Sequence, residues 1–406
     1  MGMNLDKQEE PMSKPHVMVI GGGYAGVMAA NRLTKRDDIA ITLVNSRDHF
    51  VERIRLHQLA AGSSEAVVAY ADVLSERVRL VVDTVGSIDA GARTVALGSG
   101  QEMTYDYLVY AVGSAGTTQV PGAAEHAHGV STYEEATRLR SVLDAAPADA
   151  PVVVVGGGPT GIEVSSELAE AGRNVALICG DRLGPWLHEK GRAVVERDLR
   201  RLGVGIVEGA RVAEVVDGRV RLDNGRELPS SVTIWTAGFA APDLARASGL
   251  STDELGRLLT DETLTSIDDD RIVATGDAAA PSGLAYRMSC QAANQLGPLA
   301  AETVLARLAR TTPEPVSIAF VGQCISIGRG LGLVNFSRRD DSAVGARLRG
   351  TPATKVKELV CRSTVWALGM EARRPGSAFG LKDRSRAGRV QAAAATPLLK
   401  ESSLPG

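Results

Sequence analysis

The chain has 406 residues, a formal charge of −3, 44 glycines and 15 aromatic residues. Glycine makes up about 11% of it against a usual share of roughly 7%, yet no Gly-X-Y period accompanies the excess and 44% of the chain is hydrophobic, which excludes collagen and wholesale disorder. The length suggests two or three domains with a core that needs no disulfide or metal staple, and near-neutrality argues against a dedicated nucleic-acid binder.

In chain order, residues 1–12 are polar, lack the apolar centre of a signal peptide and are expected to be disordered. Asp6 stands where a myristoylation pattern needs Ser or Thr. No apolar run reaches the roughly 18 residues of a membrane helix, so the expected location is the cytoplasm, with peripheral contact to the membrane's cytoplasmic face left open. The apolar strand ending at Ile20 leads into Gly21-Gly22-Gly23-Tyr24-Ala25-Gly26 and then a helix to Leu33. This is a GxGxxG turn in its proper setting. The first glycine makes the tight turn, the second lets backbone approach a pyrophosphate, and the third lets helix pack on strand. The next strand ends at Asn45, where a ribose-binding acid is expected; Asn can still hydrogen-bond a hydroxyl.

A basic stretch follows, with Arg53, Arg55 and His57. Arg53 or His57 either balances negative charge on a ligand or belongs to a solvated helix. The strand over 105–113 ends in Ala111-Val-Gly113, where small residues let backbone approach a ligand. At an offset of 135 residues the first unit recurs as Val152–Val155, Gly156-Gly-Gly158-Pro-Thr160-Gly161 and a helix carrying Glu163. A first-turn position for Glu163 would favour the helix dipole on its own. The strand after it ends in Cys179-Gly-Asp181-Arg182, again without the ribose acid; Arg182 attracts a 2′-phosphate or is a surface charge. Two further strands end in Thr236-Ala-Gly238 and Thr275-Gly276-Asp277. Asp277 is a helix N-cap or a ligand to the cofactor. Cys179, Cys290, Cys324 and Cys361 show no zinc or CxxC spacing and read as buried thiols; no metal is expected.

Residues 315–321 and 323–328 alternate as strands of a small interface domain. Residues 311–406 carry a net charge of +8, leaving −11 for the rest. Between Lys355 and Arg374, Val356, Leu359, Val360, Ala367 and Met370 share a helical face bordered by Trp366. Such a helix either packs on its own domain or a second subunit, or rests on anionic lipid. Residues 391–406 read as a disordered tail.

Taken together, the two glycine turns, the Ala111-Val-Gly113 and Thr236-Ala-Gly238 strand ends and Thr275-Gly276-Asp277 resemble the two-dinucleotide-binding flavoproteins over residues 15–310. The resemblance implies an α/β fold with two doubly wound, Rossmann-like domains, the second inserted in the first, plus a C-terminal α+β interface domain. FAD would occupy 13–120 with 241–310, NAD(P)H 121–240, and the interface domain 311–390. Gly21, Gly23, Tyr24, Ala25, Gly26, Asn45, Arg53, Val85, Ala111, Gly113, Gly276 and Asp277 would serve FAD. Gly156, Gly158, Thr160, Gly161, Arg182 and Gly238 would serve NAD(P)H.

Cys290-Gln291-Ala-Ala293-Asn-Gln295 resembles the glutamine segment of type II NADH dehydrogenases, with Cys290 in place of an alanine. That implies catalytic places for Glu163, Gln291 and Gln295 and a quinone-like acceptor. The segment 49–58 is basic and lacks the proline usual in that family. Two alternatives stay open: a reductase of an iron–sulfur or other small redox carrier docked on the basic C-terminal region, and a slow NAD(P)H sensor resembling apoptosis-inducing factor. A homodimer is compatible with each.

Overall fold

The computed structural model describes residues 14–395; the N-terminal stretch 1–12 and the end of the tail, 396–406, lie outside them. Strand β1 (His16–Ile20) feeds the first glycine turn and helix α1 (Tyr24–Leu33), and β2 (Ala40–Asn45) returns beside it. Helix α2 (Leu56–Ala60), strand β3 (Arg79–Val82) and strand β4 (Tyr107–Tyr110) follow. A short strand β5 (Ala115–Gly116) then leaves the sheet.

The second unit runs β6 (Ala127–Gly129), β7 (Pro151–Val155), α3 (Pro159–Glu170), β8 (Asn174–Ile178), β9 (Gly205–Val207) and β10 (Val232–Trp235). Strand β11 (Phe239–Ala240) exits it, and the chain returns to the first sheet through β12 (Ile272–Ala274). Helix α4 (Cys290–Leu308) precedes an antiparallel sheet of β13 (Gly322–Ile327), β14 (Leu331–Ser337) and β15 (Ala343–Arg349), and helices α5 (Thr351–Arg373) and α6 (Arg386–Ala395) end the described chain.

The two large sheets are parallel, β12-β4-β1-β2-β3 and β6-β10-β7-β8-β9, and share the four-strand order β4-β1-β2-β3 and β10-β7-β8-β9; the fifth strand comes last in the chain in the first sheet and first in the second. In each, the chain runs from the strand before the glycine turn out to one side and then crosses to the other side of that strand, through β4 in the first sheet and β10 in the second. A reversal of that kind opens a crevice at the carboxyl ends of the strands. Burial on both faces explains the unbroken apolar runs: Val17, Met18 and Val19 of β1 are fully buried, as are Leu108 and Val109 of β4. All ten residues of α1 are buried, because α4 and α5 cover the side that the sheet leaves free.

Three expectations need correction. Val316, Ile318 and Phe320 are buried as alternation requires, but residues 315–321 form no strand; Phe320 N donates to the Arg339 carbonyl at 3.0 Å and the Val321 carbonyl accepts from Ser337 N at 3.1 Å. Residues 391–395, expected in the disordered tail, belong to α6. On α5 the buried face is Ala353, Cys361, Thr364, Leu368, Gly369 and Glu371, while Leu359 and Trp366 are 66% and 63% exposed. The apolar set read from the sequence flanks the buried face, because the inner charges of this helix are paired.

Candidate functional site

The two glycine turns are built alike. Gly21 and Gly156 have φ of +101° and +124°, and a Cβ on either would strike the strand beside it, at Ala111 and Thr236. A Cβ on Gly26 would fall on the Gly21 carbonyl, and one on Gly161 on the Gly156 carbonyl. Gly23 and Gly158 differ from these. Their φ values are ordinary, −81° and −76°, and a Cβ on either would meet nothing within 4 Å. Nothing in the chain requires glycine there, which fits a position kept clear for a ligand approaching the backbone.

Helices α1 and α3 start at these turns with no side-chain cap and no first-turn acid. Their first amides therefore offer an uncompensated positive end to phosphate. The Tyr24 ring turns inward, edge-on to Phe50 with centroids 5.0 Å apart, so its main chain is what faces the turn. These features fit the pyrophosphate of a dinucleotide at each turn.

Asn45 supports the first turn from below: its Oδ1 accepts from Gly22 N at 3.0 Å and its Nδ2 donates to the Arg47 carbonyl at 2.9 Å. The amide expected to meet a ribose is thus already engaged with backbone. At the second turn, Asp181 pairs with Arg211 at 2.8 Å, and exposed Arg182 donates to the Pro185 carbonyl at 3.5 Å. Val85 is half-buried at the start of strand Val85–Asp89, in a separate three-stranded antiparallel sheet.

Beyond the first sheet's carboxyl edge, four chain segments converge on Asp277. Ser114 Oγ donates to its Oδ2 at 2.7 Å and Ser289 N to its Oδ1 at 3.0 Å. Arg53 Nη1 lies 3.6 Å from Oδ2 and donates to Ser114 Oγ at 2.9 Å, while the guanidinium sits 5.4 Å from the Phe239 ring centroid. Asp277 is not the cap of α4; Ser289 is, accepting from Ala292 N at 3.2 Å. Ser114 and Phe239 follow Gly113 and Gly238, the strand ends of the two sheets. Their strands pair directly, Ala115 opposite Ala240 and Gly116 opposite Phe239 in the β5–β11 ribbon. The exits of both parallel sheets therefore reach one place.

A second polar centre surrounds Glu163. Helix α3 begins at Pro159, so Glu163 is its fifth residue and lies past the first turn, contrary to expectation. Its Oε1 accepts from Ser326 N at 2.9 Å and stands 3.0 Å from Lys357 Nζ. His57 Nδ1 is 3.7 Å from Oε2, and His57 Nε2 is 3.7 Å from Glu167 Oε1. Burial works against the Glu163 carboxylate, but the Lys357 ammonium, then His57 and the Ser326 amide, hold its pKa below the ordinary value. Burial likewise opposes the Lys357 charge, yet Glu163 keeps the ammonium protonated. His57 responds the other way: burial lowers its pKa in spite of both glutamates.

The structure separates residues that the sequence grouped. Arg53 joins Asp277, whereas His57 joins Glu163. Gln295 Nε2 donates to the Gln291 and Ala319 carbonyls at 3.0 and 3.1 Å, and its Oε1 accepts from Leu381 N at 3.2 Å. Gln291, oriented so that both ends of its amide pair, donates to the Gly322 carbonyl at 3.1 Å and accepts from Val321 N at 3.2 Å. Both glutamines thus bind α4 to backbone of the C-terminal region, rather than presenting free amides to a reaction.

The four cysteines are free thiols, and burial pushes Cys290 and Cys361 up to about 11 and Cys179 up to about 12. None of these three is a ready thiolate at neutral pH. Ser114, Ser289, Phe239, Ser326 and Lys357 escaped the sequence reading. Only Ser114 and Phe239 carried a signal, each following a strand-end glycine. Among the described residues no group of three or more His, Cys, Asp or Glu could hold a metal, and no helix is long and apolar enough to cross a membrane.

Comparison with known proteins places the chain in a family. The family model described as pyridine nucleotide-disulphide oxidoreductase matches residues 15–297. An NADH dehydrogenase-like protein of Mycobacterium tuberculosis is 35% identical over 292 residues, covering 65% of this chain and 72% of that one. The type II NADH:quinone oxidoreductase of the same organism is 28% identical over 379 residues, covering 80% and 81%. Plasmodium falciparum NDH2, solved in complex with NADH, shares the fold with a TM-score of 0.74 at 15% identity, covering 89% of this chain and 97% of that one. The chain belongs to the pyridine nucleotide-disulphide oxidoreductase family and is an α/β oxidoreductase whose cofactors are FAD and NAD(P)H.

Proposed function

We propose that the chain carries out FAD-dependent oxidation of NAD(P)H with a quinone-like acceptor, the activity class that the name of one relative states for that protein. In this reading the amides of Gly23, Tyr24, Ala25 and Gly26 hold the FAD pyrophosphate, with Gly21, Ala111, Gly113 and Gly276 giving backbone clearance. Asp277, fixed by Ser114 and Ser289, accepts a hydrogen bond from the cofactor, and Arg53 balances negative charge there. Gly156, Gly158, Thr160, Gly161 and Gly238 do the corresponding work for NAD(P)H. Two pieces of the chain, 13–120 and 241–310, then form the FAD-binding half, interrupted in sequence by the NAD(P)H-binding half at 121–240.

FAD, when bound, supplies the two-electron chemistry that links nicotinamide to acceptor. The task of the chain is positioning, since reacting atoms must come within roughly 3–3.5 Å. The observation that carries the reading is the β5–β11 ribbon, which ties the exits of the two sheets together. In this reading buried Glu163, held in place by the Lys357 ammonium, passes a proton to the acceptor, and Lys357 itself stays protonated.

In the same reading the outer stripe of α5, with Lys355, Leu359, Arg362, Trp366 and Arg373, rests on an anionic lipid surface from which the acceptor is drawn. The test is steady-state turnover with a soluble quinone and with an acidic iron–sulfur carrier, each at low and high salt. The reading expects fast, salt-insensitive quinone reduction. Reduction of the carrier alone, falling steeply with salt, overturns it in favour of carrier docking.

A further inference from the structure

A cleft of about 410 Å³ opens between α2 with the loop after it, the hairpin turn carrying Gly328 and Arg329, and α5. Its walls include Ser63, Ser326, Thr354, Arg329, Lys357 and Glu358, and no aliphatic or aromatic side chain. Such a surface holds water and not a quinone ring, because a ring site needs apolar walls.

A chain of polar groups leads inward from this cleft. Ser63 Oγ donates to Glu167 Oε2 at 3.1 Å, and Arg329 Nη1 lies 3.3 Å from Glu167 Oε1. His57 follows, 3.7 Å from Glu167 on one side and 3.7 Å from Glu163 on the other. Glu163 meets Lys357 at 3.0 Å. His57 is 3% exposed, and its Nε2 has no hydrogen-bond partner although it points toward a carboxylate. A buried polar atom left in that state calls for a reason. Both gaps exceed a hydrogen bond, so the ring serves one carboxylate at a time. The charged groups facing it are Glu163 and Glu167 of α3, Lys357 of α5 and Arg329 of the hairpin.

We infer that His57 is the proton-carrying link between the cleft and Glu163. This rests on the quinone reading. In that reaction NAD(P)H, one solvent proton and a quinone give NAD(P)+ and a quinol; the hydride brings both electrons and one hydrogen, and water supplies the other. In the relay, the O–H bond at Glu167 breaks as a bond to His57 Nε2 forms, the Nδ1–H bond breaks as Glu163 Oε2 takes the proton, and Glu163 gives that proton to the acceptor oxygen; a flip of the ring then restores the first tautomer. Water in the cleft reprotonates Glu167 through Ser63. Lys357 cannot substitute for the ring, since Glu163 keeps its ammonium protonated. A neutral imidazole, by contrast, has one nitrogen to accept and one to donate.

The test uses the flavin-loaded full chain and the variants His57→Gln, His57→Ala and Glu167→Gln. Flavin bleaching by NAD(P)H is followed first, then quinol formation together with proton uptake by a pH-indicator dye. Bleaching should match the unaltered protein, while quinol formation and proton uptake slow together by about tenfold or more. Added imidazole should restore His57→Ala and leave His57→Gln slow. Proton uptake at the unaltered rate in all three variants across pH overturns the inference alone. Equal slowing of both half-reactions, with no rescue by imidazole, assigns His57 a packing role and also overturns it. Absence of quinone turnover in the unaltered protein overturns the acceptor reading and this inference with it.

Discussion

Gly23 and Gly26 stand three residues apart in one turn, yet substitution should damage the protein in different ways. A methyl group at Gly23 points into open space, so Gly23→Ala should leave the thermal midpoint of the flavin-free protein unchanged and lower the flavin-to-protein absorbance ratio. Gly26→Ala puts its methyl on the Gly21 carbonyl and should cost roughly 1–3 kcal/mol in urea unfolding. Full flavin content in Gly23→Ala would show that the open space is not the phosphate site. Lys357→Met tests the other centre. It leaves the Glu163 carboxylate buried without its ammonium, a loss of roughly 3–5 kcal/mol at neutral pH. In the unaltered protein the pKa of Glu163 is depressed, so its contribution is present above the ordinary value of 4.5 and is lost as pH falls through the folded value. Without Lys357 burial dominates and raises that pKa, and the sign reverses: the variant should unfold more readily at pH 7 than near pH 5. Urea midpoints across that range measure it, and parallel curves for both proteins would contradict it.

The elements that the sequence revealed are those set by backbone geometry. Each glycine turn, and the strand ends at Gly113, Gly238 and Gly276, could be placed because glycine spacing there answers to local sterics. The orientation of α5 could not be placed in that way. Its inner face carries Lys357 and Glu371, whose partners Glu163 and Arg32 lie far away in sequence, so hydrophobic periodicity pointed to the wrong residues. The hydrogen bonds of Gln291 and Gln295 were hidden for a similar reason. Their partners are main-chain groups of 319–322 and 381, which no side-chain pattern announces. The outward stripe of α5 makes a prediction at this scale. Lys355→Ser combined with Trp366→Ala should leave stability within about 0.5 kcal/mol, because both side chains are exposed. The same pair should weaken co-sedimentation with vesicles containing an anionic phospholipid by roughly tenfold, counting about 1 kcal/mol for the lysine and more for the ring. Vesicle binding equal to that of the unaltered protein would return α5 to a role in packing or pairing.

Across the whole molecule, the formal charge of −3 hides a basic C-terminal region and a more acidic body holding both parallel sheets. The low aromatic content suits a protein whose two repeated turns present main chain rather than rings. What unites the molecule is the joining of the two sheet exits by the β5–β11 ribbon, with Arg53 reaching from Asp277 to Phe239 across that junction. The central claim is that the two nucleotide sites converge there and act on each other. Anaerobic rapid mixing of the flavin-loaded protein with NADH or NADPH, followed by a soluble quinone, tests it most directly. The account predicts that one of the nicotinamides bleaches the flavin band promptly and that the quinone restores it. A bound flavin that neither nicotinamide bleaches would contradict it.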